Sequence, residues 1–142
     1  MKKFVILVLI SLLFLSCSKD SNQQKTLNPL LPEEHKPVVL LDETVNVSAG
    51  SYRTYTLTAK IGYTLHIDIT SDTAVNVWVM REEEYSHFEK GESFNYISEA
   101  SREKVLRFSC DLKSAYGDYY LVLDNKFSWI TSKTVSVKVI GE

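Results

Sequence analysis

Two short groups of side chains in this sequence have the residue types that bind metal ions. His66 and Asp68 are two residues apart in an apolar run, so both lie on one face of a strand, where they could share a cation. Two ligands do not complete a site, and no third is evident. The acidic segment Glu82–Glu84, with His87 and Glu89, lacks the alternating Asp, Asn and Gly spacing of a calcium loop. Solvated polar groups are favoured at both places, and neither a metal nor a cofactor is predicted.

No arrangement typical of a catalytic centre accompanies these groups. The sequence has no glycine-rich phosphate loop, nucleophile elbow or zinc-protease motif. Its three histidines stand in different settings, so no Ser-His-Asp triad can be argued. No carboxylate lies in an apolar stretch of the kind that raises a pKa for acid catalysis. These features predict that the protein is not an enzyme.

Cysteine is the other reactive residue type, and the chain has only Cys17 and Cys110. Cys17 ends a segment with a basic start, an apolar run (Phe4–Leu15) and the small residue Ser16. That order is typical of a secretory signal, and the run is shorter than the roughly 20 residues of a membrane-spanning helix. Cys110 alternates with apolar residues, which favours a buried structural thiol; a reactive nucleophile is the alternative.

The segment Phe14-Leu15-Ser16-Cys17 resembles the lipobox of bacterial lipoproteins. The resemblance implies that Cys17 receives a diacylglycerol and a further acyl chain such as palmitate, and that residues 1–16 are removed. Each buried methylene contributes about 0.8 kcal/mol, so two chains suffice for stable anchoring. Ser18, at the position where Asp retains lipoproteins in the inner membrane, favours the outer membrane of the cell envelope. An ordinary signal peptide, in which Cys17 is incidental, is the alternative.

The rest of the chain divides into a tether and one domain. Residues 17–36 are polar and contain Pro29 and Pro32, which is typical of a linker; an extra edge strand over residues 27–31 is the alternative. Residues 37–142 are enough for one domain with its own core. Removal of Lys2 and Lys3 with the signal leaves 14 basic and 18 acidic residues, a net charge of −4. This balance argues against a nucleic-acid partner.

Apolar residues of the domain recur with period two, as in strands with one buried face. The clearest runs are Tyr55–Ala59, Leu65–Ile69, Val75–Val79, Leu106–Cys110 and Val135–Val139. Val38–Leu41 and Tyr119–Leu123 are denser, which predicts strands covered on both sides. Turn residues such as Ser71-Asp72 separate the runs, and only 82–88 and 98–104 have helical character. The predicted fold is all-β: an antiparallel β-sandwich, such as a jelly roll, with about eight strands and little helix.

Aromatic residues supply the remaining candidates for a binding site. Trp78 points away from the valines of its own strand. Four further aromatic residues bracket a Lys-Gly turn: Tyr85, Phe88, Phe94 and Tyr96. Exposed aromatic clusters mark recognition surfaces, so these five are predicted to bind a partner; a second packed face is the alternative. Separately, Asp72-Thr73-Ala74 resembles an O-glycosylation sequon of some Gram-negative bacteria.

The segment from Gly117 to Val139 resembles the end of a GOLD domain, the β-sandwich of p24 cargo receptors. The matching residues are Asp124, Asn125, Phe127, Ser128 and Lys133, which form a structural motif together with Trp129. Asp and Asn side chains close turns, and Phe127 and Trp129 are expected to cap the core. The resemblance implies recognition without catalysis, but the chain lacks the cargo receptors' coiled coil and disulfide. Bacterial pre-peptidase sandwich domains are the rival resemblance.

Together these features predict a lipid-anchored, non-catalytic accessory module of the cell envelope that recognises a protein or glycan. The alternative is a structural lipoprotein that packs or oligomerises through its sandwich. The membrane is a partner only through the anchor in either case.

Overall fold

The computed structural model describes residues 36–142. The predicted signal segment, Cys17 and the predicted tether up to residue 35 lie outside the described residues. The strands are β1 (Val38–Val47), β2 (Tyr52–Leu57), β3 (Thr64–Met80), β4 (Arg102–Lys113), β5 (Tyr119–Asp124) and β6 (Lys133–Gly141). One helix, α1 (Glu82–Lys90), and a 3₁₀ turn (Ser98–Ala100) lie between β3 and β4.

The strands form one antiparallel sheet that folds over on itself. The first half of β3 lies between β4 and β6, with β1 beyond β6. The second half of β3 pairs with β5, with β2 beyond it. Inner side chains from both halves fill one core, which makes the sheet nearly barrel-shaped. The predicted all-β antiparallel class is confirmed.

The described residues form six strands rather than about eight, because two predicted runs belong to β3. The predicted turn at Ser71-Asp72 is wrong: Ser71 pairs with Val135 of β6, and the Asp72 carboxylate accepts the Thr134 amide at 3.0 Å. Residues 71–74 instead bulge opposite a single residue of β4. A bulge bends a strand and increases its twist, which lets β3 serve both halves. Thr73 of the suggested sequon lies exposed on this bulge.

The core confirms one predicted doubly covered strand and contradicts the other. Leu121, Val122 and Leu123 of β5 are fully buried, on alternating sides. Val38 and Val39 of β1 are 45% and 58% exposed, because β1 is an edge strand that pairs only with β6. Each fully buried Val, Leu or Ile contributes roughly 1.5–3 kcal/mol, so β5 and β3 dominate the stability of the domain.

The alternation along β4 breaks where its pairing with β3 changes register. Lys104 has φ 51°, and the register with β3 is irregular on either side of Val75. Leu106, predicted on the core face, is therefore 54% exposed, and Val105 packs inward. Cys110 packs against the core as expected, and burial raises the pKa of its thiol to about 11, so the thiol stays protonated at neutral pH.

Helix α1 covers the outer face of β3 and β5. Three glutamates in its first turn stabilise the helix, because their negative charges lie at the positive end of the helix dipole. Gly91 ends it in the left-handed region, with the Gly91 and Glu92 amides donating to the Phe88 and His87 carbonyls. The predicted Lys-Gly turn is thus a helix C-cap. No helix in the described part of the chain is long and apolar enough to span a membrane.

One side-chain contact links the edge strands β1 and β2 across the folded sheet. The Tyr55 hydroxyl of β2 donates a hydrogen bond to the Glu43 carboxylate of β1. Burial, and then this bond to Glu43, raise the pKa of Tyr55 to about 12. A neutral phenol is the required donor, so the link holds throughout the physiological pH range.

His66 joins three elements on the outside of the first half. Its Nδ1 lies 2.6 Å from Asp111 of β4 and its Nε2 lies 2.8 Å from Glu142, which follows β6. The hydrogen bond to Asp111, reinforced by Glu142, raises the pKa of His66 above its ordinary value of 6.5. Through these two contacts His66 holds the central strand to both of its neighbours, an arrangement here called the clasp.

We expect this clasp to make stability depend on pH. Because the pKa of His66 is higher in the folded state, its contribution is complete below about pH 6.5 and is lost as the pH rises through the folded-state value. His66→Gln should therefore lose more unfolding free energy, relative to the native protein, at pH 5.5 than at pH 9. Urea denaturation at both pH values measures the difference, and an equal loss at the two pH values would contradict it.

Candidate recognition site

The five aromatic residues predicted to bind a partner form a second packed cluster. Trp78 and Phe88 are 7% and 2% exposed, with Tyr85 and Phe94 half-buried around them. The prediction that these four side chains are exposed is therefore wrong. The alternative prediction, a second packed face, is the arrangement observed. Only Tyr96 is exposed. The physical reason is α1, whose inner side chains cover the outer face of β3 and β5.

Ring contacts hold this cluster together. Tyr85 stacks on Tyr120 of β5 with centroids 4.5 Å apart, and Phe94 meets Phe88 edge to face at 5.2 Å. Such pairs contribute about 0.5–1.5 kcal/mol beyond the buried area. The segment after α1 is tied down by Glu84, which accepts hydrogen bonds from the Asn95 amide and side chain; these bonds lower the pKa of Glu84. The cluster thus fixes α1 rather than offering a surface.

The turn after β5 is organised by Asp124 and Asn125. The Asp124 carboxylate accepts hydrogen bonds from Trp78 Nε1 at 3.2 Å and from the Lys126 amide at 2.8 Å. Asn125 is completely buried, and its Nδ2 donates to the carbonyls of Val47, Ser48 and Thr131 at 3.1, 3.1 and 2.9 Å. One carboxamide therefore joins the β1–β2 turn to the β5–β6 loop.

The β5–β6 loop projects an apolar apex into solvent. Trp129 and Ile130, here called the apolar tip, are 94% and 92% exposed. Capping of the core by Trp129 is therefore wrong. The reason is local: Ser128 Oγ bonds both the amide and the carbonyl of Thr131, so the two residues between them stand at the outside of a tight turn.

Phe127 forms the base of the tip and is 38% exposed rather than a core cap. The Lys133 ammonium lies 4.9 Å from its ring centroid and that of Lys104 lies at 5.8 Å. Lys126 lies 3.6 Å above the Phe88 ring of the second cluster. Lys133 is 4% exposed, so its aliphatic stem packs within the fold while its charge stays against an aromatic face.

A groove lies at the opposite end of the domain. It has a volume of about 460 Å³ and runs between the β2–β3 connection and the β4–β5 turn. Ile61 and Tyr116 on its rim are 66% and 86% exposed, and Lys60, Glu82 and Asp118 supply its charges. Of the groove residues, sequence reasoning considered only Glu82, in the acidic segment weighed for calcium. Turn residues around Gly62 and Gly117 mark the two loops that carry Ile61 and Tyr116.

Arg81 makes the Tyr116 side of the groove rigid. Its guanidinium donates to the carbonyls of Tyr116, Gly117 and Asp118 at 3.0, 3.3 and 3.4 Å, and to the Tyr119 hydroxyl at 2.8 Å. It also lies 3.8 Å from the Tyr119 ring centroid. A preorganised rim loses little conformational entropy when a partner binds, which favours recognition.

The residues considered for metal binding are engaged otherwise. Both ring nitrogens of His66 hold carboxylates, and His87 Nδ1 lies 2.6 Å from Glu92. Within residues 36–142, no group of three or more His, Cys, Asp or Glu side chains is arranged to hold a metal ion.

Neither a scan against models of known protein families nor a search of curated protein sequences finds a match for this chain.

The Asn125 carboxamide should control the stability of the tip end. Asn125→Ala removes the three hydrogen bonds by which a fully buried carboxamide joins two loops, so the unfolding free energy should fall by about 2–4 kcal/mol. Asn46→Ala, at an exposed position of β1, is the matched control and should change it by less than about 0.5 kcal/mol. Guanidinium denaturation measures both, and similar small losses for the two variants would refute the role of Asn125.

Proposed function

We propose that this chain is a lipid-anchored, non-catalytic binding module of the bacterial cell envelope, located at the outer membrane. Cys17 carries the acyl chains, residues 17–36 serve as the tether, and the sandwich holds a protein or glycan partner. The groove between Ile61 and Tyr116 is the observation that carries the binding role.

The groove has the physical properties of a recognition site. Large apolar side chains exposed near one another mark recognition surfaces, and Ile61 and Tyr116 lie on opposite sides of this groove. Tyrosine combines a large apolar area with a polar hydroxyl, which suits contacts with both proteins and sugars. Lys60, Glu82 and Asp118 add charges of both signs for orienting a partner.

A GOLD-like sandwich is the finer fold assignment within this proposal. The two-sided antiparallel sheet and the turn built on Asp124 and Asn125 support it. Phe127 and Trp129 do not cap the core as the sequence predicts. The non-catalytic character is proposed from the same resemblance and from the absence of sequence motifs for catalysis.

Structural packing through the sandwich is the second candidate. The outer edge of β4 favours it, because β4 pairs only with β3 and exposes Leu106. Charged residues along that strand, including Arg102, Glu103 and Arg107, disfavour edge-to-edge pairing. Native mass spectrometry separates the candidates, since a stable homo-oligomer supports packing and a monomer supports binding.

Lipid attachment should depend on Cys17 alone. We expect Cys17→Ala to abolish incorporation of labelled palmitate in a Gram-negative host and to move the protein from the membrane to the soluble fraction. Cys110→Ala, which removes the other cysteine, is the control and should keep both properties. Palmitate incorporation that survives Cys17→Ala would exclude the anchor.

Partner binding should map to the groove. A photo-cross-linking amino acid at position 116 should give a discrete adduct in cells, or the purified protein should bind a defined glycan on an array and lose it with Ile61→Ser. The same cross-linker at Ser109, exposed on β4 away from the groove, is the control. No adduct at 116 above that at 109, together with no glycan binding, would refute the groove as the site.

A further inference from the structure

The apolar tip differs from the groove in shape. Trp129 and Ile130 are adjacent, convex and more than nine-tenths exposed, on a turn closed by Ser128 and Thr131. A stable protein interface buries about 800 Å² on each partner. Two side chains surrounded by polar residues supply only a fraction of that area. A small rigid apex suits shallow insertion into a soft apolar medium better than docking on a protein.

Lysines surround the base of this tip. Lys104, Lys126 and Lys133 all have their ammonium groups against aromatic rings beside the loop. None of the three takes part in an ion pair between the described residues. The neighbouring Asp124 carboxylate is buried and bonded to Trp78, while Asp72 and Glu103 are exposed carboxylates of this end.

The opposite end carries an excess of carboxylates. Exposed carboxylates gather there around the groove and the end of β6, and they outnumber the exposed lysines Lys36, Lys60 and Lys113: Glu82, Glu83, Asp111, Asp118 and Glu142. An anionic lipid surface attracts Lys side chains and repels carboxylates, each basic residue near the surface contributing about a fivefold gain in binding. The charge distribution therefore favours the tip end, and not the groove end, against a membrane.

We propose that the apolar tip inserts into the interfacial layer of the bilayer that holds the acyl chains, with Lys104 and Lys126 on anionic headgroups. Trp129 suits this layer because its ring is apolar and its indole N–H remains hydrogen-bonded to water or lipid. The insertion gives the domain a fixed orientation, with the groove facing away from the membrane and open to a partner.

The length of chain before β1 permits this orientation. β1 begins at the groove end and its ten residues span about 33 Å. Residues 17–36 can span at most about 70 Å, enough to run from the bilayer past the domain to Val38. The anchor at Cys17 is what holds the tip close to the bilayer. The proposal therefore rests on the lipid anchor of the proposed function.

The test uses the lipidated protein reconstituted into vesicles of phosphatidylethanolamine and phosphatidylglycerol. The chain has two tryptophans, and Trp78 is buried, so the emission lost in Trp129→Phe belongs to Trp129. We expect this component to shift to shorter wavelength and to be quenched by lipids brominated on their acyl chains. Lys104→Glu with Lys126→Glu should weaken tip insertion by about tenfold or more in these vesicles. In phosphatidylcholine the two substitutions should have little effect.

A tryptophan placed at the opposite end is the matched control. Ile61→Trp in the Trp129→Phe background should not be quenched by brominated lipid. Flotation of the protein with the vesicles reports the anchor separately. If the protein floats but Trp129 emits as in water, or if the indole introduced by Ile61→Trp is quenched equally, tip insertion is refuted and the anchor stands. Failure to float would refute the anchor.

Discussion

The Asn125 carboxamide is the constraint on which the ends of this domain depend. It is the only side chain among the described residues whose hydrogen bonds hold backbone carbonyls of both the β1–β2 turn and the β5–β6 loop. A buried amide with three accepting carbonyls cannot be exchanged for water without cost. In the turn that these hydrogen bonds fix, the side chains of Trp129 and Ile130 point into solvent.

A second consequence follows from how the sheet is covered. The inner faces share one core, and α1 covers the outer face of β3 and β5 with its own aromatic cluster. Both faces of the sheet formed by β3 and β5 are therefore covered and cannot bind a partner. The largest exposed apolar side chains, Trp129, Ile130 and Tyr116, lie in loops at the two ends. In this domain, recognition is a property of loops placed by rigid strands.

The period-two pattern was sufficient to predict the all-β class and the opposite faces of Trp78 and its neighbouring valines. It was not sufficient to predict exposure, because the cover over Trp78 comes from α1, a contact between segments without an apolar stripe of their own. Leu106 differs from its predicted face because it lies opposite the bulge in β3, where the pairing changes register. Trp129 was expected in the core, but its exposure depends on the Ser128–Thr131 turn and on Asn125, whose partners are distant in sequence. The groove residues come from three segments that are distant in sequence, namely the β2–β3 connection, the start of α1 and the β4–β5 turn, and only the folded chain brings them together.

The two ends differ in charge and in shape, and the proposed insertion would give the anchored molecule a direction, with the tip on the bilayer and the groove outward. Neutron reflectometry of the lipidated protein on a supported bilayer containing phosphatidylglycerol tests this directly. Tip-down seating predicts protein density that begins within the headgroup layer and extends about 30–35 Å outward, the length of the longest regular strands. A layer of solvent between the headgroups and the domain would show that the tether alone holds the protein and would contradict the account.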